Sequence, residues 1–211
     1  VPAYLMGINI FKLRKNLTKH FSGERKKFLK DSSLVLANLF KTNRIRTLIF
    51  FNYNPQLDNF LYWCQQLIAE SLGKEKKGFL PTISPAPKDH HSLLQLYLDG
   101  PKDKLFYIFS SDFDNKIKVK SDILKEKFKF LQNKSLSKIK FAQKKAFLKV
   151  LEKKNIPYRE FKIKRFNEEV LGELFSYFML ETVLIGKIVN LNPFDQPAVE
   201  QVKTYTKKNL I

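Results

Sequence analysis

Apolar residues fall along this chain in two different rhythms. From Gln56 to Leu72 they recur at Leu57, Phe60, Leu61, Cys64, Leu67 and Ile68, with Ser71 on the same stripe. That i, i+3, i+4 spacing is what one buried face of a helix requires. Arg46–Asn54 (RTLIFFNYN) is instead an unbroken apolar run of strand length, closed by Pro55, and predicts a buried strand. Lys104–Ser111 (KLFYIFSS) and Tyr158–Ile163 predict two further strands. Helical patterning covers residues 3–21, Phe28–Thr42, Ser92–Leu98, Leu136–Asn155 and Glu168–Val189, and a turn followed by a helix spans Asn192–Lys208. Residues 73–90 carry Gly73, Gly78, Pro81, Pro85 and Pro87 and predict a long loop.

Strands separated by helices imply βαβ units and an α/β fold on a mostly parallel sheet. Such sheets hold ligands beyond the carboxyl ends of their strands, which draws attention to the segments after Asn54 and Ser111. The 211 residues suit one domain, and neither an internal repeat nor a low-complexity linker divides them.

Charge complicates this picture. Lys and Arg number 39 against 20 Asp and Glu, a net charge of +19 that raises nucleic acid or an anionic surface as a partner. The excess is almost all lysine, 33 against 6 arginines, whereas readers of bases and phosphates favour the planar arginine fork. Residues 101–165 contribute +13 of the total, and Lys116, Lys118, Lys120, Lys125, Lys127 and Lys129 alternate with Ile117, Val119, Phe128 and Phe130. Long lysine stems can cover apolar surface while the ammonium stays in water, so a solvated face is the simpler reading.

Other classes are excluded more directly. The single cysteine, Cys64, rules out an internal disulfide and a multi-cysteine zinc site, and reads as a small buried apolar residue in a reducing, cytoplasmic setting. No apolar run is long enough for a membrane helix and no secretory signal is visible. Neither GxGxxG nor GxxxxGK[ST] occurs. The chain opens Val1-Pro2-Ala3, so upstream sequence is expected.

Candidate chemistry is sparse. The only histidines are His20, His90 and His91, and His20 has no grouping with the other two, which speaks against a metal and leaves His91 or His90 for proton transfer. Gln66 and Glu70 are four apart and share a helix face. Glu70 lies in the last turn, against the negative end of the helix dipole, a setting that suits a general base. Phe194-Asp195-Gln196-Pro197 opens the last helix, with Asp195 a natural N-cap and Pro197 tolerated in the first turn. Gln196 and Lys203, seven apart, are expected on one face.

Together these segments resemble the glucose-6-phosphate isomerase family. Phe194-Asp195-Gln196 through Val199-Glu200 to Lys203 is similar to its FDQxxVExxK signature, Glu70-Ser71-x-Gly73-Lys74 to its ESxGK motif, and His91-Ser92 through Gln95-Leu96 to its HSxxQL segment. Pro2-Ala3 and Met6-Gly7-Ile8-Asn9-Ile10 are similar to its PA…GID stretch. The resemblance implies a three-layer αβα sugar-isomerase (SIS) domain over 1–211, the C-terminal part of such an enzyme, with an N-terminal phosphate-binding part absent. It implies aldose–ketose interconversion of glucose 6-phosphate and fructose 6-phosphate through a cis-enediol, with no cofactor and no metal. Glu70 matches the base that moves a proton between C2 and C1. His91 and Lys203 match residues of ring opening, His91 reaching across the interface of a homodimer. Gln66 and Gln196 match substrate-binding glutamines. Pro197 and Ala198 replace the Trp-Gly common in the signature, and His90 stands where many members carry Gln. Two rivals remain: a non-catalytic sugar-phosphate-binding domain, and a polyanion-binding module built on the lysine-rich stretch.

Overall fold

Successive residues of a strand point to opposite faces, and in this protein both faces are covered. Phe50, Leu48, Tyr107 and Phe109 are buried in one core cluster, while Ile49, Phe51, Phe106 and Ile108 are buried in another. A strand buried on both sides has no polar face to alternate with, hence the unbroken apolar runs. The structure is a computed structural model that describes residues 2–111, 117–120 and 125–211.

Four strands, β1 (Thr47–Asn52), β2 (Leu80–Pro85), β3 (Lys104–Ser111) and β4 (Tyr158–Ile163), form one all-parallel sheet in the order β2-β1-β3-β4. The first cluster is closed by α3 (Gly23–Lys41), α4 (Asp58–Leu72) and α8 (Glu168–Ile188), through residues such as Leu36, Phe40, Leu61 and Phe178. The second is closed by α6 (Leu94–Asp99) and α7 (Leu136–Lys153), through Tyr97, Phe147 and Leu151. This is the three-layer α/β architecture expected. The remaining α-helices among the described residues are α1 (Pro2–Leu5), α2 (Ile10–Arg14), α5 (Asp89–Ser92) and α9 (Pro197–Asn209). No helix among the described residues is long and apolar enough to cross a membrane. Cys64 is fully buried, and burial pushes its thiol pKa well up, as befits a packing residue.

Local chemistry explains the boundaries. Asn54 accepts from the Gln56 amide at 3.2 Å ahead of α4, Ser135 caps α7 and Asn167 caps α8. Asn43, Asn155 and Asn190 follow α3, α7 and α8 with φ of 51°, 54° and 58°. In a chain with seven glycines, asparagine takes the left-handed position that ends a helix.

One expectation fails here. Residues 73–90 are not a single loop, because Leu80–Pro85 is strand β2 and Asp89–Ser92 is helix α5. The Leu80 amide donates to the Arg46 carbonyl and the Ala86 amide to the Asn52 carbonyl, both at 2.7 Å. Even-numbered positions therefore bond to β1, and Pro81, Ile83 and Pro85 turn their nitrogens to the open side. Both prolines of this edge strand sit where no hydrogen is needed.

Candidate active site

The last turn of α4 ends at Gly73, whose amide donates to the Ala69 carbonyl at 2.9 Å. A Cβ on Gly73 would lie 2.5 Å from that same oxygen, so only glycine ends the helix this tightly. The turn presents Glu70. Gln66 Nε2 donates to Glu70 Oε1 at 3.0 Å, the contact the four-residue spacing predicts. Gln196 Nε2 donates to Glu70 Oε2 at 2.6 Å from the far end of the chain. Both carboxylate oxygens are thus engaged by carboxamides, each of which keeps a carbonyl oxygen free to accept.

Beside them opens a hollow of about 1050 Å³, lined by Glu70, Gly73, Lys74, Gln196 and the 75–80 turn, with Arg46, Lys76 and Lys77 among its walls alongside the acids Glu75 and Asp195. Lys74 Nζ donates to Asp195 Oδ1 at 2.7 Å and to the Asn192 carbonyl. That bond holds the Asp195 carboxyl below its ordinary pKa. A carboxylate held by amides beside an open hollow whose walls carry Arg46 and Lys76 can exchange a proton with a bound substrate.

Three expectations change. The carboxyl-end rule pointed to the segments after Asn54 and Ser111, yet this hollow is lined by Arg46, which precedes β1, and by Leu80, which begins β2. It lies at the amino edge of the sheet, because α4 leaves the carboxyl end of β1 and runs back. Residues 112–116, the segment after Ser111, lie outside the described residues. Asp195 is not the N-cap of α9: Gln196 occupies that position without a side-chain cap bond, and Asp195 is drawn to Lys74. The seven-residue rule therefore does not apply to Gln196 and Lys203, since Gln196 has φ −144° and ψ 60°, outside the helix. Lys203 does not line the hollow with Gln196; its Nζ pairs with Glu200 at 2.6 Å.

His91 also stands apart. It is exposed in α5, which follows the carboxyl end of β2, while Glu70 lines the hollow that includes Leu80 at the amino end. A strand of six residues spans roughly 20 Å. Asp89, buried, accepts from Ser84 Oγ at 2.6 Å and Ser92 Oγ at 2.7 Å, which fastens α5 to the strand end and fixes where His91 emerges. His90 turns inward, its Nε2 2.6 Å from the Tyr53 hydroxyl. No group of three metal-ligating side chains occurs among the described residues.

Sequence reasoning missed a buried polar network. Arg159 Nη1 donates to Tyr107 Oη at 2.7 Å and Glu181 Oε1 at 2.8 Å, and Ser32 and Tyr177 each donate to Glu181 Oε1 at 2.6 Å. Its members come from α3, β3, β4 and α8, and no local spacing connects them. Of the lysine-rich stretch, Lys116 lies outside the described residues, while Lys118, Lys120, Lys125, Lys127 and Lys129 are exposed. Lys127 Nζ sits 5.0 Å from the Phe128 ring centre and Lys129 pairs with Glu126, as a solvated face with apolar cover would have it.

Comparison with known proteins adds an independent line. No family model matches the chain. It is 32% identical over 211 residues to a glucose-6-phosphate isomerase of Methanocaldococcus jannaschii, covering 96% of this chain and 51% of that protein. It is 34% identical over 170 residues to a glucose-6-phosphate isomerase of Mycoplasmopsis synoviae, covering 78% and 39%. Among solved structures it matches a hypothetical protein of Thermus thermophilus with TM-score 0.82 at 25% identity, over 97% of this chain and 51% of that one. A glucose-6-phosphate isomerase of Chlamydia trachomatis shares the fold with TM-score 0.65 at 19% identity, over 84% and 38%. The chain spans about half the length of the curated relatives it matches.

Proposed function

The chain belongs to the glucose-6-phosphate isomerase family, and from that premise we propose that it carries the proton-transfer base for interconverting glucose 6-phosphate and fructose 6-phosphate. The observation that carries this reading is the Glu70 carboxylate, held by Gln66 and Gln196 beside an open hollow.

In this reading Glu70 removes the C2 proton of the open-chain aldose and returns it to C1 on the same face of a planar cis-enediol. The carboxamides of Gln66 and Gln196 steady the carboxylate and offer their oxygens to sugar hydroxyls, so the base is oriented before substrate arrives. Arg46, Lys76 and Lys77 favour an anionic sugar in the hollow. The resemblance assigns the phosphate contacts and the group that stabilises the intermediate to a part of such enzymes that this chain does not match, the chain spanning about half of its relatives. Ring opening falls to Lys203, once its ammonium leaves Glu200, and to His91. A single copy keeps His91 a strand's length from Glu70, which supports a homodimer in which His91 comes from the second copy. The reading also carries a cytoplasmic location, in keeping with a lone buried thiol.

Complementation tests this. In a polypeptide that contains this chain at the length of its relatives, Glu70→Gln and His91→Gln are each expected to lose isomerase activity. Mixed and reassembled, they should recover about a quarter of it, because half the dimers are mixed and each mixed dimer has one intact site under twofold symmetry. No recovery would put His91 and Glu70 in one chain's site, and a His91→Gln variant that keeps its activity would remove His91 from the reaction. Glu70→Gln activity within about tenfold of wild type, ~1.4 kcal/mol, would remove the base.

A further inference from the structure

We infer that Lys74 is a positioning residue of this site: by fastening the 192–195 turn to the end of α4, it holds Gln196 against Glu70. This rests on the functional reading above and deepens it.

Lys74 follows Gly73, and its amide donates to the Leu72 carbonyl at 2.9 Å, so its backbone is set by the tight helix end. Its side chain is only 11% exposed, although it runs between two surface segments. Nζ bonds both the Asn192 carbonyl and Asp195 Oδ1, one backbone and one side-chain anchor on the same turn. That turn is braced internally, since Asn192 Oδ1 accepts from the Phe194 amide at 3.1 Å and the Leu191 amide reaches the Gly186 carbonyl at 2.8 Å. Gln196 is the next residue after Asp195. It lies outside α9, and α9 buries no residue of its own to hold it in place. The bond from Gln196 to Glu70 therefore depends on the turn, and the turn is tied to α4 by Lys74. Lys74 itself bonds neither Glu70 nor either glutamine among the described residues, so its influence on the base runs through the turn.

Two readouts test the link, one of them independent of turnover. In the 211-residue chain, the Gln196 side-chain amide signal in a nitrogen–proton NMR spectrum should shift in Lys74→Met and in Asp195→Asn. Lys74→Arg should preserve it. An unmoved Gln196 signal in folded Lys74→Met would overturn the inference, and Asp195→Asn decides the matter if Lys74→Met does not fold. In the active polypeptide, Lys74→Met should lower kcat about tenfold or more with KM within twofold, and Lys74→Arg should restore most of kcat. A raised KM with unchanged kcat would make Lys74 a substrate contact and overturn the positioning role. A wild-type polypeptide without isomerase activity would overturn the reaction, leaving the amide signal to decide Lys74 by itself.

Discussion

Single residues here act according to what surrounds them. His20 is buried with neither ring nitrogen hydrogen-bonded, its ring edge-on to Tyr177. Burial lowers its pKa below the ordinary 6.5, and Arg25 and Lys19 lower it further. Burial also lowers that of His90. A histidine whose folded pKa is depressed is protonated first in the unfolded chain, so protons favour unfolding as pH falls below about 6.5. Stability should therefore decline from pH 7 towards pH 5, at up to about 1.4 kcal/mol per pH unit for each histidine within its window. Thermal unfolding midpoints across that range check this, and a His20→Phe variant should flatten the slope. The sequence placed His20 apart from the other histidines. It could not disclose the burial, which comes from contacts with α3 and α8.

At the scale of elements, strand and helix identities were largely legible because they follow from period. Tyr158–Ile163 emerges with the bounds its pattern predicts, and α4, α7 and α8 differ from theirs by a residue or two. Strand β2 was hidden because its prolines mimic loop punctuation. Whether a proline is tolerated in a strand depends on which side lacks a neighbour, and that is a property of the sheet. Docking of α2 against α8 was equally invisible. A Cβ added to Gly172 would lie 1.8 Å from the Leu13 carbonyl, so glycine is what lets these backbones meet. Replacing Gly172 with alanine should force the helices apart at a cost of about 1–3 kcal/mol. Denaturant unfolding measures that loss; an unchanged midpoint would mean that α2 contributes nothing to stability. The carbonyl–glycine contact has no signature in spacing, since Leu13 and Gly172 belong to separate elements.

For the whole molecule, the charge proved less informative than the span. The described lysines of the 101–165 stretch are mostly exposed, and those that pair do so with nearby acids such as Glu126 and Asp99. Binding to DNA or RNA should accordingly be weak at physiological salt, as a fluorescence anisotropy titration with a short labelled oligonucleotide would measure. Tight binding with a steep dependence on salt would revive the polyanion reading. The share of the relatives that is covered says more, because about half their length already folds into a three-layer sheet arrangement.

The sequence by itself determined the α/β class, most element bounds and the motifs that mark the family, because period and motif spacing are local and survive without knowledge of contacts. It also determined that Gln66 meets Glu70, since one helical turn separates them. Tertiary structure alone decided the rest of the site. Gln196 reaches Glu70 across 126 positions because the turn after α8 is fastened to the end of α4. His91, far nearer in sequence, is carried to the opposite edge of the sheet because β2 runs between them. Distance along a chain is set by residue count, whereas distance in the fold is set by the direction of the elements in between.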